Sequence, residues 1–376
     1  MNTPHDFDET QTLLRDSLQR WLEQRFAFEQ RLTLFKRPEG LQTLWQGLAQ
    51  DLGLLGCAFP ERVGGTGGSA AEHLLVMQAL GGALAGEPYL GGAVICGGLL
   101  ARCGSDERLA ALTDGSIRPA WAGGEVAARH DRLPTQTTLA RLGPGWHLLG
   151  RKSLVLAAPG ATHFIVSALL QGAVTLVWVA SNTPGIVRRD FRTVDGNWAS
   201  ELAFDVALPA DALLCEPGNA AQQALERTLD EATLALCAEA LGVMDQLQKT
   251  TIEHARQRKQ FGQPIGAFQV LQHRIADMHI ARVQAEALTW ASLQHLGADV
   301  AQRERAVSSA KVMVSRACRF VGQATVQIHG GMGMTEELAV GHYFRRATMI
   351  EAQFGSEDWH LRRVEQRTDG DSRSAR

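Results

Sequence analysis

Paired cysteines, an excess of charge of one sign and long apolar runs are all missing from this 376-residue chain. Its six cysteines, Cys57, Cys96, Cys103, Cys215, Cys237 and Cys318, form no C-x-x-C pair, so neither a zinc site nor a dithiol motif is expected. Scattered single cysteines fit a reducing compartment, where most thiols act as small buried hydrophobes. The 37 basic and 40 acidic side chains give a formal net charge of −3. That balance gives no electrostatic case for a nucleic-acid partner. No uninterrupted apolar run reaches the ~18 residues of a membrane span. The N-terminal MNTPHDFDETQTLLRD is acidic and polar. It lacks the basic flank and apolar centre of a secretory signal, so a cytoplasmic location is expected. No H-E-x-x-H spacing suggests a metal and no G-x-S-x-G suggests a hydrolase elbow. With 45% hydrophobic and 20% charged residues, intrinsic disorder is excluded. At roughly 150 residues per domain, the length suggests two or three domains.

Three textures follow one another. Residues 1–116 read as a helical domain. A helix is predicted from Glu9 to Phe28, and another from Leu41 with Leu44, Leu48 and Leu52 spaced by four. The glycine-rich FPERVGGTGGS (59–69) reads as a loop, and Ser69 stands three residues before Glu72 at capping-box spacing. A further helix is predicted over Gly92 to Arg102. Residues 117–215 carry short β-branched or alternating runs (WHLLG, SLVLAA, HFIVSA, VTLVWVA, ELAFDVAL) separated by turn sequences. They predict a small antiparallel barrel or sandwich. Residues 216–366 return to helix. Leu225, Leu229, Ala232, Leu236, Ala240, Val243 and Leu247 form one apolar stripe, and stripes from Phe268 and from Val307 repeat its rhythm. Together they predict a four-helix bundle. Residues 367–376 are polar and read as a disordered tail. The order is not a βαβ alternation, and the class predicted is α+β, mostly helical.

Two segments carry candidate chemistry. In ARQRKQFGQPIGAFQ (255–269), Arg256, Arg258 and Lys259 cluster before a Phe-Gly-Gln-Pro break. Gly262 can end one helix there and Pro264 can start the next. Such a corner can hold a phosphate or pyrophosphate, with Phe261 as a stacking face. A solvated basic helix end accounts for the same residues. In QIHGGMGMTEEL (327–338), Gly330, Gly331 and Gly333 let a ligand approach the backbone and Gln327 offers hydrogen bonds. Thr335 is placed to cap the following helix. An ordinary helix–loop–helix corner is the alternative. In EAQFGSEDWHLRRV (351–364), Ser356 with Glu357 and Asp358 makes a helix start. Gly65, Gly67 and Ala70 lack the strand context of a dinucleotide site.

PERVGG at 60–65, GRKSLVLAAP at 150–159, RKQFGQPIGAFQ at 258–269 and QIHGGMGMTEELAV at 327–340 together resemble the acyl-CoA dehydrogenase family over about residues 9–364. The resemblance implies a helical domain, a β domain and a four-helix bundle. It implies FAD, shared across a subunit interface in a dimer of dimers. Arg258 would meet the FAD pyrophosphate and Phe261 would pack on the cofactor. Gln327, Gly330 and Gly331 would hold the ADP part of a partner's FAD, and Gln269 and Ser356 match further contact positions. The implied reaction is α,β-desaturation of an acyl-CoA thioester: a carboxylate removes the α-proton and the β-hydride goes to the flavin. An electron-transferring flavoprotein is the implied electron acceptor.

The sequence departs from the family where chemistry would occur. The usual base is the Glu of a Tyr-Glu-Gly-Thr turn, which matches Gln353-Phe354-Gly355-Ser356, so the base position holds Phe354. The alternative base position, on the first bundle helix, matches Ala232. Asp230 and Glu231 lie beside it but are rotated by ~100° per residue. The arginine usually aimed at CoA matches Thr233, and the segment lining the flavin ring is degenerate around AWAGGEVAARHD (120–131). An intact nucleotide half beside a depleted ring-and-base half resembles the small subunits of α2β2 acyl-CoA dehydrogenases, among them those for pimeloyl-CoA and steroid side-chain CoA esters. Three readings follow. The chain is a base-lacking subunit working with a second acyl-CoA dehydrogenase-like subunit; or it is a self-sufficient homo-oligomer with a relocated carboxylate; or it is a non-catalytic scaffold that kept the fold.

Overall fold

The computed structural model describes residues 7–374, with side chains through residue 367. Helices α1 (Glu9–Arg25), α2 (Phe28–Leu34), α3 (Glu39–Gln46), α4 (Ala70–Gly82), α5 (Gly98–Arg102) and α6 (Asp106–Thr113) come first. Seven strands follow: β1 (Pro119–Ala122), β2 (Thr138–Leu142), β3 (Gly145–Leu156), β4 (His163–Leu170), β5 (Ala173–Ala180), β6 (Ile186–Arg192) and β7 (Trp198–Leu208). Then come α7 (Asn219–Gln257), the hairpin strands β8 (Lys259–Gln260) and β9 (Gln263–Pro264), α8 (Gln269–Leu293), α9 (Val300–His329), α10 (Ala339–Ala352) and α11 (Glu357–Ser374). Helix α11 therefore covers most of the expected disordered tail, and residues 375–376 lie outside the described residues.

The chain forms two compact units. One comprises Met1–Phe28, Leu74–Ala85 and Thr233–Arg376; the other comprises Glu29–His73 and Gly86–Ala232. In the second unit the sheet runs β1-β4-β2-β3-β7-β6, with β5 paired to β4. The expectation of an antiparallel sheet needs correction: β4 pairs in parallel with both β1 and β2. Each of those strands is short and joins β4 only over a few residues, so no run of residues announces the direction. Strand β6 also escaped the pattern. It is a mostly exposed edge, IVRRDFR, without an apolar face to alternate. Phe164, Phe204, Leu148, Val166 and Val177 fill the core of the sheet. A bulge between Lys152 and Val155 shifts the β3–β7 register. The Ser69 cap is present: Ser69 Oγ accepts from Ala71 N at 3.2 Å, and Glu72 accepts from Ser69 N at 2.5 Å. The helix predicted over Gly92–Arg102 is a π-helical run, Leu90–Gly97, continuing as α5.

In the first unit, α7 is buried along its predicted stripe, with Leu236, Ala240, Val243 and Leu247 fully enclosed. The α9 stripe from Val307 to Ala324 is buried in the same way. On α7, Gly242 is required by close approach: a Cβ there would stand 2.0 Å from the Gln78 carbonyl oxygen of α4. A bidentate ion pair, Arg346 to Glu239 at 2.6 and 2.7 Å, ties α10 to α7 with both side chains buried. Among the described residues no helix is long and apolar enough to cross a membrane.

Candidate cofactor site

The basic corner is a hairpin, not a helix junction. Helix α7 ends at Gln257, β8 and β9 pair Lys259 with Pro264 and Gln260 with Gln263, and α8 begins only at Gln269. Gly262 therefore belongs to the turn and Pro264 to β9, correcting their expected helix-ending and helix-starting roles. The backbone N–H of Ile265 donates to the Arg258 carbonyl at 2.8 Å and closes the loop. The two residues at the tip, Phe261 and Gly262, have φ of 52° and 79°. A two-residue hairpin turn with both centres at positive φ normally carries Asn-Gly or Gly-Gly. A bulky aromatic there is strained, and Phe261 is also 92% exposed. Such strain persists only where the surrounding structure enforces it. Arg258 and Gln269 are exposed on the same corner, and Phe261 lies edge-on to Phe268 at 6.2 Å.

The second corner is the end of α9. Gln327 is exposed on its last turn. Gly330 has φ 62°, and a Cβ on Gly330 or Gly331 would meet nothing within 4 Å, so this backbone is open to a ligand. Thr335 does not cap α10. That helix starts at Ala339 after Leu338, and the Thr335 hydroxyl donates back to the Met332 carbonyl at 3.2 Å because a tight turn intervenes. The two corners meet through a pair of histidines, His254 on α7 stacked on His329 on α9 at 4.3 Å between ring centres. Burial lowers the pKa of both rings.

Ser356 belongs elsewhere. Its hydroxyl caps α11, accepting from Trp359 N at 3.3 Å. The turn Gln353–Gly355 before it is pinned from below by Lys311 of α9, whose fully buried ammonium donates to the carbonyls of Ile350 and Glu351 at 2.9 Å each and of Gly355 at 3.4 Å. His360 Nε2 donates to the Phe354 carbonyl at 3.2 Å, leaving Nδ1 to accept from Ser308 Oγ at 3.1 Å. Phe354 has φ 61°, a second aromatic in the left-handed region. Lys311 precedes Gly330 by nineteen positions on and just past α9, which at 1.5 Å per residue puts the Ser356 turn about 28 Å from the glycine corner. The expected cofactor residues thus fall into two groups, with Arg258, Phe261, Gln269, Gln327, Gly330 and Gly331 in one and Ser356 in the other.

In the other unit Asp230 and Glu231, about three turns into α7, are both engaged. Asp230 is fully buried and accepts from Arg132 at 2.7 Å. Glu231 is ion-paired with Arg102, which also donates to Thr228 Oγ at 3.3 Å. Burial raises the Glu231 pKa and Arg102 opposes that shift. The segment 120–131 holds a residue that the sequence did not single out. Glu125 is buried and accepts from Lys152 Nζ at 2.8 Å and from the backbone N–H groups of Thr135, Gln136 and Thr137. Burial would raise its pKa, but Lys152 and the Thr hydrogen bonds outweigh burial and hold it well below the carboxylate range. No periodic signal marks such a pair, because its members lie 27 residues apart.

Helices, a mixed sheet and a helical bundle thus follow one another along the chain. Residues 8–113 match the Acyl-CoA dehydrogenase, N-terminal domain, and residues 198–368 match the Acyl-CoA dehydrogenase, C-terminal domain. The chain is 32% identical over 338 residues to acyl-CoA dehydrogenase FadE27 of Mycobacterium tuberculosis, covering 85% of this chain and 86% of that one. It is 30% identical to a probable acyl-CoA dehydrogenase, YngJ, of Bacillus subtilis, covering 82% and 85%. Among solved structures, a chain of the ChsE4-ChsE5 complex from Mycobacterium tuberculosis superposes with a TM-score of 0.87 at 27% identity, covering 97% of this chain and 98% of that one. The chain belongs to the acyl-CoA dehydrogenase family. FAD is the cofactor of that family and of this chain, and the open Gly330–Gly331 backbone beside the exposed Arg258 and Phe261 fits its nucleotide half.

Proposed function

We propose that this chain is the base-lacking subunit of a hetero-oligomeric, FAD-dependent acyl-CoA dehydrogenase that shares FAD across its subunit interface. The carrying observation is the division of the expected cofactor residues into two groups about 28 Å apart along α9. One chain so built serves two cofactor sites, one with each group. The similarity to a chain of a two-component complex supports the same reading. When bound, the flavin accepts the hydride removed from the acyl β-carbon. Arg258 pairs with the pyrophosphate, Phe261 packs on the cofactor, Gln327, Gly330 and Gly331 hold the ADP part of a partner's FAD, and Gln269 and Ser356 supply further contacts. Phenylalanine at 354 accepts no proton, so the carboxylate that takes the α-proton comes from the second kind of subunit. An electron-transferring flavoprotein takes the electrons onward, the assembly is a dimer of dimers, and its location is the cytoplasm.

Asp230 and Glu231 do not substitute for the base in this reading. Each is already engaged by an arginine, Asp230 by Arg132 and Glu231 by Arg102, so neither is free to approach an acyl α-carbon. The test is turnover of a panel of acyl-CoA esters by the chain alone and co-expressed with an acyl-CoA dehydrogenase-like partner. The expected result is flavin and turnover in the pair, with no turnover from the chain alone. Ordinary turnover by the lone chain, abolished by Glu231→Gln or Asp230→Asn with flavin retained, would establish the self-sufficient enzyme instead. A native complex without flavin would leave only the scaffold reading.

A further inference from the structure

Four of the six thiols are buried, but Cys103 and Cys215 are half-exposed and lie together. Cys103 follows the last residue of α5, and Cys215 lies in the link from β7 to α7. Although 112 residues separate them in sequence, their Sγ atoms are 3.0 Å apart. That is about 1 Å beyond a disulfide bond length. The neighbouring Arg102 holds Thr228 and Glu231 of α7, so a link here would fasten the end of α5 against the first turns of α7.

We propose that Cys103 and Cys215 are a redox modification site that closes to a reversible disulfide when a hydroperoxide is present. The thiol of Cys103 donates its hydrogen bond to Cys215 Sγ. That bond draws the Cys215 thiol below its ordinary pKa and raises that of Cys103. Cys215 is therefore the attacking thiolate and Cys103 the resolving thiol. The Cys215 sulfur attacks the peroxide, the O–O bond breaks, an alcohol (or water, from hydrogen peroxide) leaves, and Cys215 becomes a sulfenic acid. The Cys103 sulfur then attacks the Cys215 sulfur. Hydroxide departs with the Cys103 proton as water, and the S–S bond forms. Two electrons pass from the thiol pair to the peroxide. Two equivalents of a small thiol reverse the step, and are themselves oxidised to a disulfide. The site depends on neither flavin nor a partner chain.

The test treats the reduced full-length protein with near-stoichiometric hydrogen peroxide, removes the peroxide, denatures the protein and counts thiols beside a mass spectrum. The expected result is a fall from the six free thiols of the structure to about four, a loss of about 2 Da and a linked peptide pair containing Cys103 and Cys215, all reversed by dithiothreitol. Cys103→Ser should leave Cys215 as a sulfenic acid that dimedone captures, and Cys215→Ser should slow peroxide consumption about tenfold or more. A count that stays at six, or oxidation without the linked pair, would overturn the proposal. The peptide map is made on the unsubstituted protein, so the outcome does not depend on either variant folding.

Discussion

The imidazole of His254 stacks on that of His329 with 4.3 Å between ring centres. Through this contact the Arg258 hairpin after α7 and the glycine turn after α9 become one surface. Arg258 N donates to the His254 carbonyl at 2.8 Å, and His329 immediately precedes Gly330. His254→Ala removes the stack and frees the hairpin from the glycine turn. An aromatic pair contributes about 0.5–1.5 kcal/mol, so FAD affinity of the assembled enzyme should fall roughly 2- to 10-fold. His254→Phe keeps a ring and should restore most of it. Flavin fluorescence titration of the apoprotein measures both.

Lys311 is a buried ammonium whose partners include two backbone carbonyls of the last turn of α10, Ile350 and Glu351, and that of Gly355 in the turn that follows. Lys311→Met should destabilise the protein by about 3 kcal/mol, because those buried acceptors lose their donor. Urea unfolding followed by circular dichroism tests this.

Lys152 and Glu125 form a buried pair at 2.8 Å. Lys152→Met leaves a buried carboxylate without its cation and is expected to cost about 3–5 kcal/mol. The double variant Lys152→Met with Glu125→Gln should recover part of that loss. A double-mutant cycle in urea gives the coupling.

His73 is fully buried between Phe59 and Tyr89, with its Nδ1 2.9 Å from the Tyr89 hydroxyl. Burial pushes its pKa down to about 4. In the unfolded chain it titrates near 6.5, so between those values the unfolded state binds the extra proton. Stability contributed by neutral His73 is therefore intact above pH ~6.5 and is lost as pH falls toward 4, by roughly 3 kcal/mol in total. In Tm measurements from pH 7 to 4.5, His73→Gln should flatten the decline relative to the natural protein.

The helical stripes of α7 and α9 were legible because each keeps one apolar face over many turns, and burial follows that face residue by residue. The long strands β3, β4, β5 and β7 were legible through their alternation. Strand β6 was not, since an exposed edge needs no apolar face, and neither were the parallel pairings of β4, which depend on strands brought from elsewhere in the chain. At the site, the residue types of the two corners could be read from short motifs. The hairpin at Phe261 could not be read, because Phe-Gly at a turn with two positive φ values is a poor local choice that the surrounding structure must enforce.

By itself the sequence determined the order of helices, strands and bundle, the family, and the absence of an ionisable group at position 354. Those follow from periodicity, motif spacing and side-chain chemistry, all of which are local. Tertiary structure alone decided the Lys152–Glu125 and Arg346–Glu239 pairs, the Lys311 support beneath the Ser356 turn, the contact between Cys103 and Cys215, and the distance along α9 that divides the expected cofactor residues into two groups. Each is a meeting of groups far apart in the chain. Such meetings are fixed by how buried surfaces pack, and no window of sequence contains both partners.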